Sequence, residues 1–242
     1  MNIKLNISYD GTHFSGWQIQ PSQRTIQDEL QNAIQNIFKN KNIKLKGSGR
    51  TDSGVHANGQ IANFYINTNM TTNQIKNAIN SNTSEDIYVN SCKFEKDDFD
   101  ARFSAKNRQY IYKITTKFDP FIRNYYWFLS YKIEELKLNE CADIILGKHD
   151  FQLFCKSTSK QENNNCIINE SKWIFENNNI YYQISANRFL HHMVRMLVGT
   201  MVDVAKGNIP IIKFQNMINA NTDKKRIITS PSRGLYLNKV NY

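Results

Sequence analysis

The chain has 242 residues, with 31 lysines and arginines against 21 aspartates and glutamates, a formal charge of +10 and a pI near 9.4. A chain of this length can bury one large core or two smaller lobes around a cleft, and its basic character favours a polyanionic partner. No apolar run approaches the roughly 20 residues that cross a bilayer, and the first residues lack a signal-peptide pattern. We therefore expect a cytoplasmic protein.

The first hundred residues alternate between strand and helix patterns. Apolar residues at every second position from Ile3 to Tyr9 predict a strand, and Asp10-Gly11 marks a turn. Thr25 is a candidate N-cap for a helix whose apolar residues recur at helical spacing as far as Ile37. Similar patterns predict a helix near 75–79 and a strand over 87–94, so the segment is typical of helices packed on a sheet.

The most informative stretch covers residues 47–64 and contains Asp52. Gly47, Gly49 and Gly54 surround Asp52, and glycine suits backbone with positive φ or close contact to a ligand. The alternation over 60–66 predicts a half-buried strand after this loop. Asp52 alone is equally compatible with a simple turn cap. The glycines match neither a P-loop nor a dinucleotide-binding fingerprint, which argues against a nucleotide cofactor.

The second half continues with strands, helices and one long loop. Residues 108–114 predict a strand on which Tyr110 either stacks on a nucleobase or fills the sheet surface, the second being the simpler reading. A helix is predicted over 134–146 and a hairpin over 173–184, around a turn of three asparagines. We predict a mobile polar loop over 151–169, because that stretch shows no clear period.

Residues 187–204 predict an amphipathic helix that carries unusual charges. Arg188 and Arg195 interrupt an otherwise apolar segment, and a buried arginine requires an anionic partner. Asp52 is the candidate partner for Arg195. His191 and His192 are neighbours and would point to different sides of a helix, which argues against a shared metal ion.

The remaining segments add a short helix, a basic run and a final strand. A short helix is predicted from Pro210 to Ile218 and a strand over 232–240, and the basic run at 224–226 is expected on the surface. The four cysteines show neither Cys-x-x-Cys nor zinc-site spacing, so we expect reduced thiols at Cys92, Cys141, Cys155 and Cys166.

Taken together, these segments resemble the tRNA pseudouridine synthase A family over nearly the whole chain and in the same order. The Gly-Arg-Thr-Asp-Ser-Gly-Val-His segment at 49–56 is the most specific. The others are Tyr-Asp-Gly at 9–11 with Gly-Trp-Gln at 16–18, Ala-Arg-Phe-Ser-Ala at 101–105, Phe-Leu-His-His-Met-Val-Arg at 189–195, and Gly-Leu-Tyr-Leu at 234–237. Ser53 replaces a common alanine and Met196 a usual asparagine, and neither change removes a charged group.

The resemblance implies an isomerase that converts uridine to pseudouridine at positions 38 to 40 of the tRNA anticodon arm. It implies no cofactor, no metal, and a homodimer in which each tRNA contacts both subunits. By position, Asp52 falls on the catalytic aspartate, Arg195 on its arginine partner, Tyr110 on the stacking tyrosine, Arg50 on the base-extruding arginine, and Leu235 on the lining of the uracil pocket.

The reaction gives these residue types a chemical role. The bond between C1′ and N1 breaks, the uracil turns, and C5 joins C1′, so a group must trap or stabilise the detached sugar. Asp52 either adds to C1′ or removes the C2′ proton to give a glycal, and both routes require an ionised carboxylate. The target base must leave its stack, which costs a few kcal/mol and which Tyr110 and Arg50 would offset.

We therefore predict an α+β protein with two pseudo-symmetric lobes, 1–104 and 105–242, each a sheet with packed helices, around a basic central cleft. The alternative is a non-catalytic RNA-binding module that uses the same basic surface. A glycosidase-type hydrolase is disfavoured, since such enzymes place a pair of carboxylates across the scissile bond and the motifs supply only Asp52.

Overall fold

The structure is a computed structural model that describes residues 1–159, 162–219 and 227–242. Within these ranges the chain forms ten strands and five α-helices, which confirms the predicted α+β class. The basic run predicted at 224–226 lies outside the described residues. Among the described helices, none is both long and apolar enough to cross a membrane.

The strands and helices alternate along much of the chain. The strands are β1 (Asn2–Tyr9), β2 (Lys46–Gly47), β3 (His56–Tyr65), β4 (Ile87–Glu95), β5 (Asn107–Thr115), β6 (Trp127–Phe128), β7 (Gly147–Asp150), β8 (Asn165–Glu176), β9 (Asn179–Ala186) and β10 (Leu235–Asn241). The helices are α1 (Ile26–Ile37), α2 (Thr72–Asn80), α3 (Glu135–Ile144), α4 (Met193–Ala205) and α5 (Ile211–Ile218).

The chain divides into two compact units. The first contains Met1–Lys106 together with Tyr236–Tyr242, and the second contains Asn107–Leu235. The C-terminal residues Tyr236–Tyr242 therefore belong to the first unit, in which β10 pairs with β3. The division into domains 1–104 and 105–242 remains a prediction.

The first unit is built on a mixed sheet in the order β4-β1-β3-β10. β1 pairs antiparallel with both β3 and β4, whereas β10 runs parallel to β3. α1 and α2 contact each other, and α2 packs on β4. The apolar positions of β1 at Ile3, Leu5 and Ile7 are fully buried, as their alternation predicted.

β3 differs from the half-buried strand predicted over 60–66, because both of its faces are buried. Ile61, Ala62, Asn63 and Phe64 are each no more than 5% exposed. The chain near Ala101 covers the second face, where Asn63 Oδ1 accepts the amide of Ala101 at 3.0 Å and Asn63 Nδ2 donates to Asn2 Oδ1 at 2.9 Å. The prediction was wrong because a polar residue such as Asn63 gives the same alternating pattern whether its side chain faces solvent or is buried in hydrogen bonds to another segment.

Helix capping also differs from the sequence pattern. Thr25 occupies the N-cap position of α1 but makes no capping hydrogen bond, and its buried hydroxyl lacks a partner among the described residues. A capping box instead starts α2, where Thr71 accepts the amide of Gln74 at 3.3 Å and Gln74 Oε1 accepts the amide of Thr71 at 2.8 Å.

The second unit contains an antiparallel sheet in the order β5-β9-β8-β7, and β6 pairs in parallel with β5. α3 packs against β8 and against α4 and α5. The predicted hairpin is confirmed: β8 and β9 are joined by a turn in which Asn177 has a φ of 53°. Asparagine tolerates this left-handed conformation better than most residues.

Two expectations for the second unit were wrong. Residues 165–169 belong to β8 instead of a loop: β8 pairs with β7 and β9, and the pattern was missed because the apolar Ile167 lies on the exposed face beside the buried Ile168. His191 and His192 precede α4, which begins at Met193, and His192 has a φ of 67°. Their rings lie 4.4 Å apart in an edge contact instead of on different sides of a helix.

The four cysteines are free thiols and buried, as predicted. Burial raises the pKa of Cys92 and Cys166 to about 11 and that of Cys141 to about 12. Because the thiolate is the reactive form, these three thiols are inert near neutral pH.

Candidate active-site elements

The loop that carries Asp52 connects β2 to β3 and is held at both ends by hydrogen bonds. Before Asp52, Ser48 donates its amide to Ile61 O at 2.7 Å and its hydroxyl to Gln60 Oε1 at 2.7 Å. Gln60 Nε2 in turn donates to Gly49 O at 3.0 Å. These bonds fix the start of the loop to the buried strand β3.

The residues on either side of Asp52 are bonded to the turn that follows β1. Thr51 O accepts the amide of Trp17 at 3.0 Å, and the Thr51 hydroxyl lies 2.8 Å from the buried Tyr9 hydroxyl. Gly54 donates its amide to Phe14 O at 3.3 Å, and Val55 donates to Asp52 O at 3.1 Å. The half-buried Asp52 therefore lies on a loop whose backbone is held on both sides.

Glycine is required at several contacts between the two loops. Gly16 has a φ of 94°, and a Cβ there would lie 2.6 Å from Thr51 O. A Cβ at Gly47 would lie 2.5 Å from the Trp17 ring, so Trp17 packs the core on this glycine. Gly54 has a φ of 73°, while Gly49 faces open space. Of the three glycines named in the sequence, two are thus explained by geometry.

Arg50 lies on the same loop and is exposed. Within the described parts of the chain, no hydrogen bond or ion pair holds its guanidinium. A long cationic side chain of this kind, two residues before a carboxylate, is available to an anionic or aromatic ligand.

In the second unit, Arg195 lies in the first turn of α4 and is half-buried. Its Nε donates to Ser230 O at 2.9 Å, and Ser230 N donates back to Arg195 O at 3.0 Å. These two bonds orient the guanidinium through the segment that precedes β10. The predicted placement of Arg195 on a largely apolar helix is confirmed.

The segment before β10 is itself held by close contacts. Tyr112 donates its hydroxyl to Pro231 O at 2.7 Å, and a Cβ at Gly234 would lie 2.7 Å from the Tyr112 ring. Gly199 of α4 lies so close to this segment that a Cβ would be 2.9 Å from Ser230 N. Burial raises the pKa of Tyr112, which keeps its hydroxyl protonated as the donor.

The other two predicted residues of this unit, Tyr110 and Leu235, lie on strands. Tyr110 on β5 is partly exposed, and its ring is nearly perpendicular to the Phe189 ring, with centroids 5.1 Å apart. This contact fixes the orientation of the two rings relative to each other. Leu235 is the first residue of β10 and is 5% exposed.

The sequence analysis missed the residues that position these groups. Ser230, Gly199 and Tyr112 hold Arg195 and its neighbouring segment, and Tyr9 holds the loop of Asp52. The signal for Gly199 was present, because a glycine inside a helical pattern often marks a close backbone approach. The other contacts join residues far apart in sequence and leave no local pattern.

Fold and side chains together define a class: an α+β protein with a carboxylate and an exposed arginine on one anchored loop of the first unit. Its second unit carries a hydrogen-bonded arginine and a partly exposed tyrosine. A family model described as tRNA pseudouridine synthase matches residues 6–104 and 142–242. The chain belongs to this family.

Curated relatives agree with the family model over almost their whole length. A protein of Brachyspira hyodysenteriae named tRNA pseudouridine synthase A is 38% identical, covering 98% of this chain and 97% of the relative. Proteins of the same name from Borrelia hermsii and Bacillus subtilis are 37% and 36% identical. They cover 99% and 100% of this chain, and 98% and 99% of their own lengths. The resemblance drawn from the motifs is confirmed.

Proposed function

We propose that this chain converts uridine to pseudouridine at positions 38 to 40 of the tRNA anticodon arm. Family membership supports an isomerase that acts on tRNA. The observation that carries the proposal for this chain is the anchored loop, which presents the half-buried Asp52 beside an unbonded Arg50. We place the enzyme in the cytoplasm because its substrate is tRNA.

Asp52 is the proposed catalytic group. Uridine loses its C1′–N1 bond, the uracil turns, C5 bonds to C1′, and the proton leaves C5 while N1 gains one. Asp52 acts either by adding to C1′ or by taking the C2′ proton. Uridine deuterated at C2′ separates the two routes: proton removal at C2′ slows the reaction several-fold, and direct addition leaves the rate nearly unchanged.

The deciding experiment compares wild type with Asp52→Asn on an unmodified tRNA that has uridines in its anticodon arm. We expect pseudouridine at those uridines with wild type alone, and tRNA binding by both proteins. Asp98→Asn is the matched control, because it removes an exposed carboxylate that makes no hydrogen bond or ion pair with the described residues. Persistent modification by Asp52→Asn would refute the proposal. Binding without conversion by any variant would favour the RNA-binding alternative.

Arg195 is proposed to pair with Asp52, as the family resemblance implies. Arg195→Ala should lower kcat far more than it weakens tRNA binding. Arg195→Lys keeps the charge but cannot reproduce the oriented guanidinium that donates to Ser230 O. We therefore expect Arg195→Lys to be intermediate, and full turnover with weak binding in Arg195→Ala would contradict this role.

Tyr110, Arg50 and Leu235 are proposed to bind the extruded base. Tyr110→Phe should retain stacking, whereas Tyr110→Ala should lose roughly 1–3 kcal/mol of stacking energy. Arg50→Gln should slow conversion more in a base-paired stem than in a loop, since only the paired uridine must leave a duplex. Equal effects on both substrates would exclude a role of Arg50 in extrusion.

We further propose that catalysis uses no metal or other cofactor and that the active form is a homodimer. Activity should be unchanged after treatment with a chelator and dialysis. A loss that is restored by a divalent ion would overturn the first statement, provided that refolded substrate tRNA is supplied, because tRNA itself binds such ions.

A further inference from the structure

Arg24 is a cation of the first unit that the proposed mechanism does not use, and several segments converge on its guanidinium. Its Nη2 lies 2.9 Å from Asp86 Oδ2 and 3.1 Å from Glu29 Oε2, and it donates to Ser84 Oγ at 2.9 Å. Its Nε also donates to Glu29 Oε2, at 3.2 Å. Glu29 belongs to the first turn of α1, whereas the other two residues precede β4. Arg24 therefore joins the start of α1 to the start of β4.

The guanidinium also lies over an aromatic ring. The Cζ atom of Arg24 is 4.0 Å from the centroid of the Phe14 ring, which is buried. The backbone on either side is bonded as well. Phe14 donates its amide to Gly11 O at 3.0 Å, and Ser15 donates its amide to Arg24 O at 2.8 Å. Because a cation over a ring attracts it through the ring's quadrupole, these contacts hold Phe14 in one position.

Phe14 in turn contacts the loop of Asp52 directly. Its carbonyl oxygen accepts the amide of Gly54 at 3.3 Å and the hydroxyl of Ser53 at 3.2 Å. Ser53 and Gly54 are the two residues that follow Asp52 in the chain. A displacement of the Phe14 carbonyl would therefore move the backbone next to the proposed catalytic carboxylate.

A second connection leads from Arg24 to the far end of the same loop. Asp86, its ion-pair partner, accepts the amide of Asp10 on its backbone oxygen at 2.9 Å. The next residue, Gly11, lies so close to the loop that an added Cβ would overlap Val55 O. Arg24 thus holds the segment that contacts the loop of Asp52 at two separate points.

The exposure of Arg24 indicates that its contacts act more on geometry than on stability. Its side chain is 40% exposed, so solvent screens the ion pairs and each contributes little to the free energy of unfolding. The planar guanidinium nevertheless presents its donors in fixed directions, which sets the arrangement of the groups that bind it. A misplacement of about 1 Å near a reacting group can lower the rate by about 100-fold.

We propose that Arg24 is a positioning residue for the proposed catalytic group Asp52 and that it acts through Phe14. The proposal rests on the proposed function, because it takes Asp52 as the group that reacts with uridine. Arg24 holds the ring of Phe14, and the carbonyl of Phe14 holds the loop. Loss of Arg24 should therefore lower kcat and leave the affinity for tRNA nearly unchanged.

Kinetics of pseudouridine formation measure this effect. Arg24→Met removes the guanidinium and keeps most of the side-chain length, and we expect kcat to fall by about 10-fold or more with KM within about twofold. Arg24→Lys keeps the charge without the planar group and should be intermediate. Lys4→Met is the matched control and should leave kcat unchanged. Lys4 belongs to the same unit, pairs with Glu95 at 2.8 Å and lies over the rings of Phe99 and Tyr242.

Amide hydrogen exchange tests the connection without any measurement of activity. The Gly54 amide is bonded to Phe14 O, so Arg24→Met should speed its exchange several-fold, whereas Lys4→Met should not. Phe14→Leu removes the ring and keeps the carbonyl. Combined with Arg24→Met, it should lower kcat no further than the more damaging single variant does, since both changes break the same connection. Urea unfolding shows which variants fold, and Arg24→Lys carries the test if Arg24→Met does not.

The possible outcomes distinguish this proposal from the proposed function. A wild type that forms no pseudouridine contradicts both. An active wild type with unchanged kcat in Arg24→Met overturns the positioning role alone, as does an equal loss of kcat in Lys4→Met, which would indicate general destabilisation. Unchanged exchange at Gly54, or additive effects in the double variant, excludes the connection through Phe14. A raised KM at unchanged kcat would make Arg24 a tRNA contact and refute the proposal.

Discussion

Gly199 provides a direct test of how α4 positions Arg195. Alanine is a better helix former than glycine by about 1 kcal/mol, so propensity alone predicts that Gly199→Ala stabilises the protein. The added Cβ would meet the carbonyl of Ile228 and lie 2.9 Å from Ser230 N. Both atoms are backbone atoms, which cannot move aside as a flexible side chain can.

The segment 228–230 would have to retreat by roughly 0.5–1 Å to restore ordinary van der Waals distances. Overpacking of this kind costs about 1–3 kcal/mol, which cancels or exceeds the gain in propensity of about 1 kcal/mol. We therefore expect a net destabilisation of up to about 2 kcal/mol instead of the stabilisation that propensity alone predicts. The same shift would stretch the paired bonds between Arg195 and Ser230, now 2.9 and 3.0 Å. A misplacement of this size can lower kcat/KM by about 100-fold.

Urea unfolding and single-turnover pseudouridine formation measure the two effects. Asn77→Ala on the exposed side of α2 is the control for propensity, and we expect it to stabilise the protein slightly with unchanged activity. If Gly199→Ala behaves like this control in both assays, the close approach of the two segments does not constrain the site and the reasoning fails.

Three further predictions concern the first unit. Tyr9→Phe removes the buried bond to Thr51 and should cost about 1 kcal/mol of stability and reduce turnover, as urea unfolding and kinetics would measure. Asn63→Ala leaves the Ala101 amide without its acceptor and should cost about 1–3 kcal/mol or more; an unchanged unfolding midpoint would contradict this. Burial raises the pKa of Glu29, but hydrogen bonds and an ion pair at its carboxylate outweigh burial and lower it. The stability from Glu29 is complete above its unfolded pKa near 4.5 and is lost as the pH falls through the folded value. The stability difference between wild type and Glu29→Gln should therefore shrink in acid; a constant difference from pH 6 to pH 3.5 would argue against this origin.

Predictions from the sequence were most accurate for elements that depend only on neighbouring residues. The alternation in β1 and the helical spacing in α1 depend on neighbours within a few residues, and both elements appear where expected. The turn at Asn177 followed from residue type for the same reason. The coverage of the second face of β3 was missed because it depends on a segment almost forty residues away, near Ala101.

The sequence by itself determined the fold class and the family, and it supplied the residues proposed to carry the chemistry, because periodicity and motifs are properties of consecutive side chains. Tertiary structure alone decided how those residues are held. Thr51 is fixed by Tyr9, and Arg195 by Ser230, through bonds between segments 42 and 35 residues apart. Such bonds form only after the chain has folded, when buried donors and acceptors must find partners wherever the fold places them.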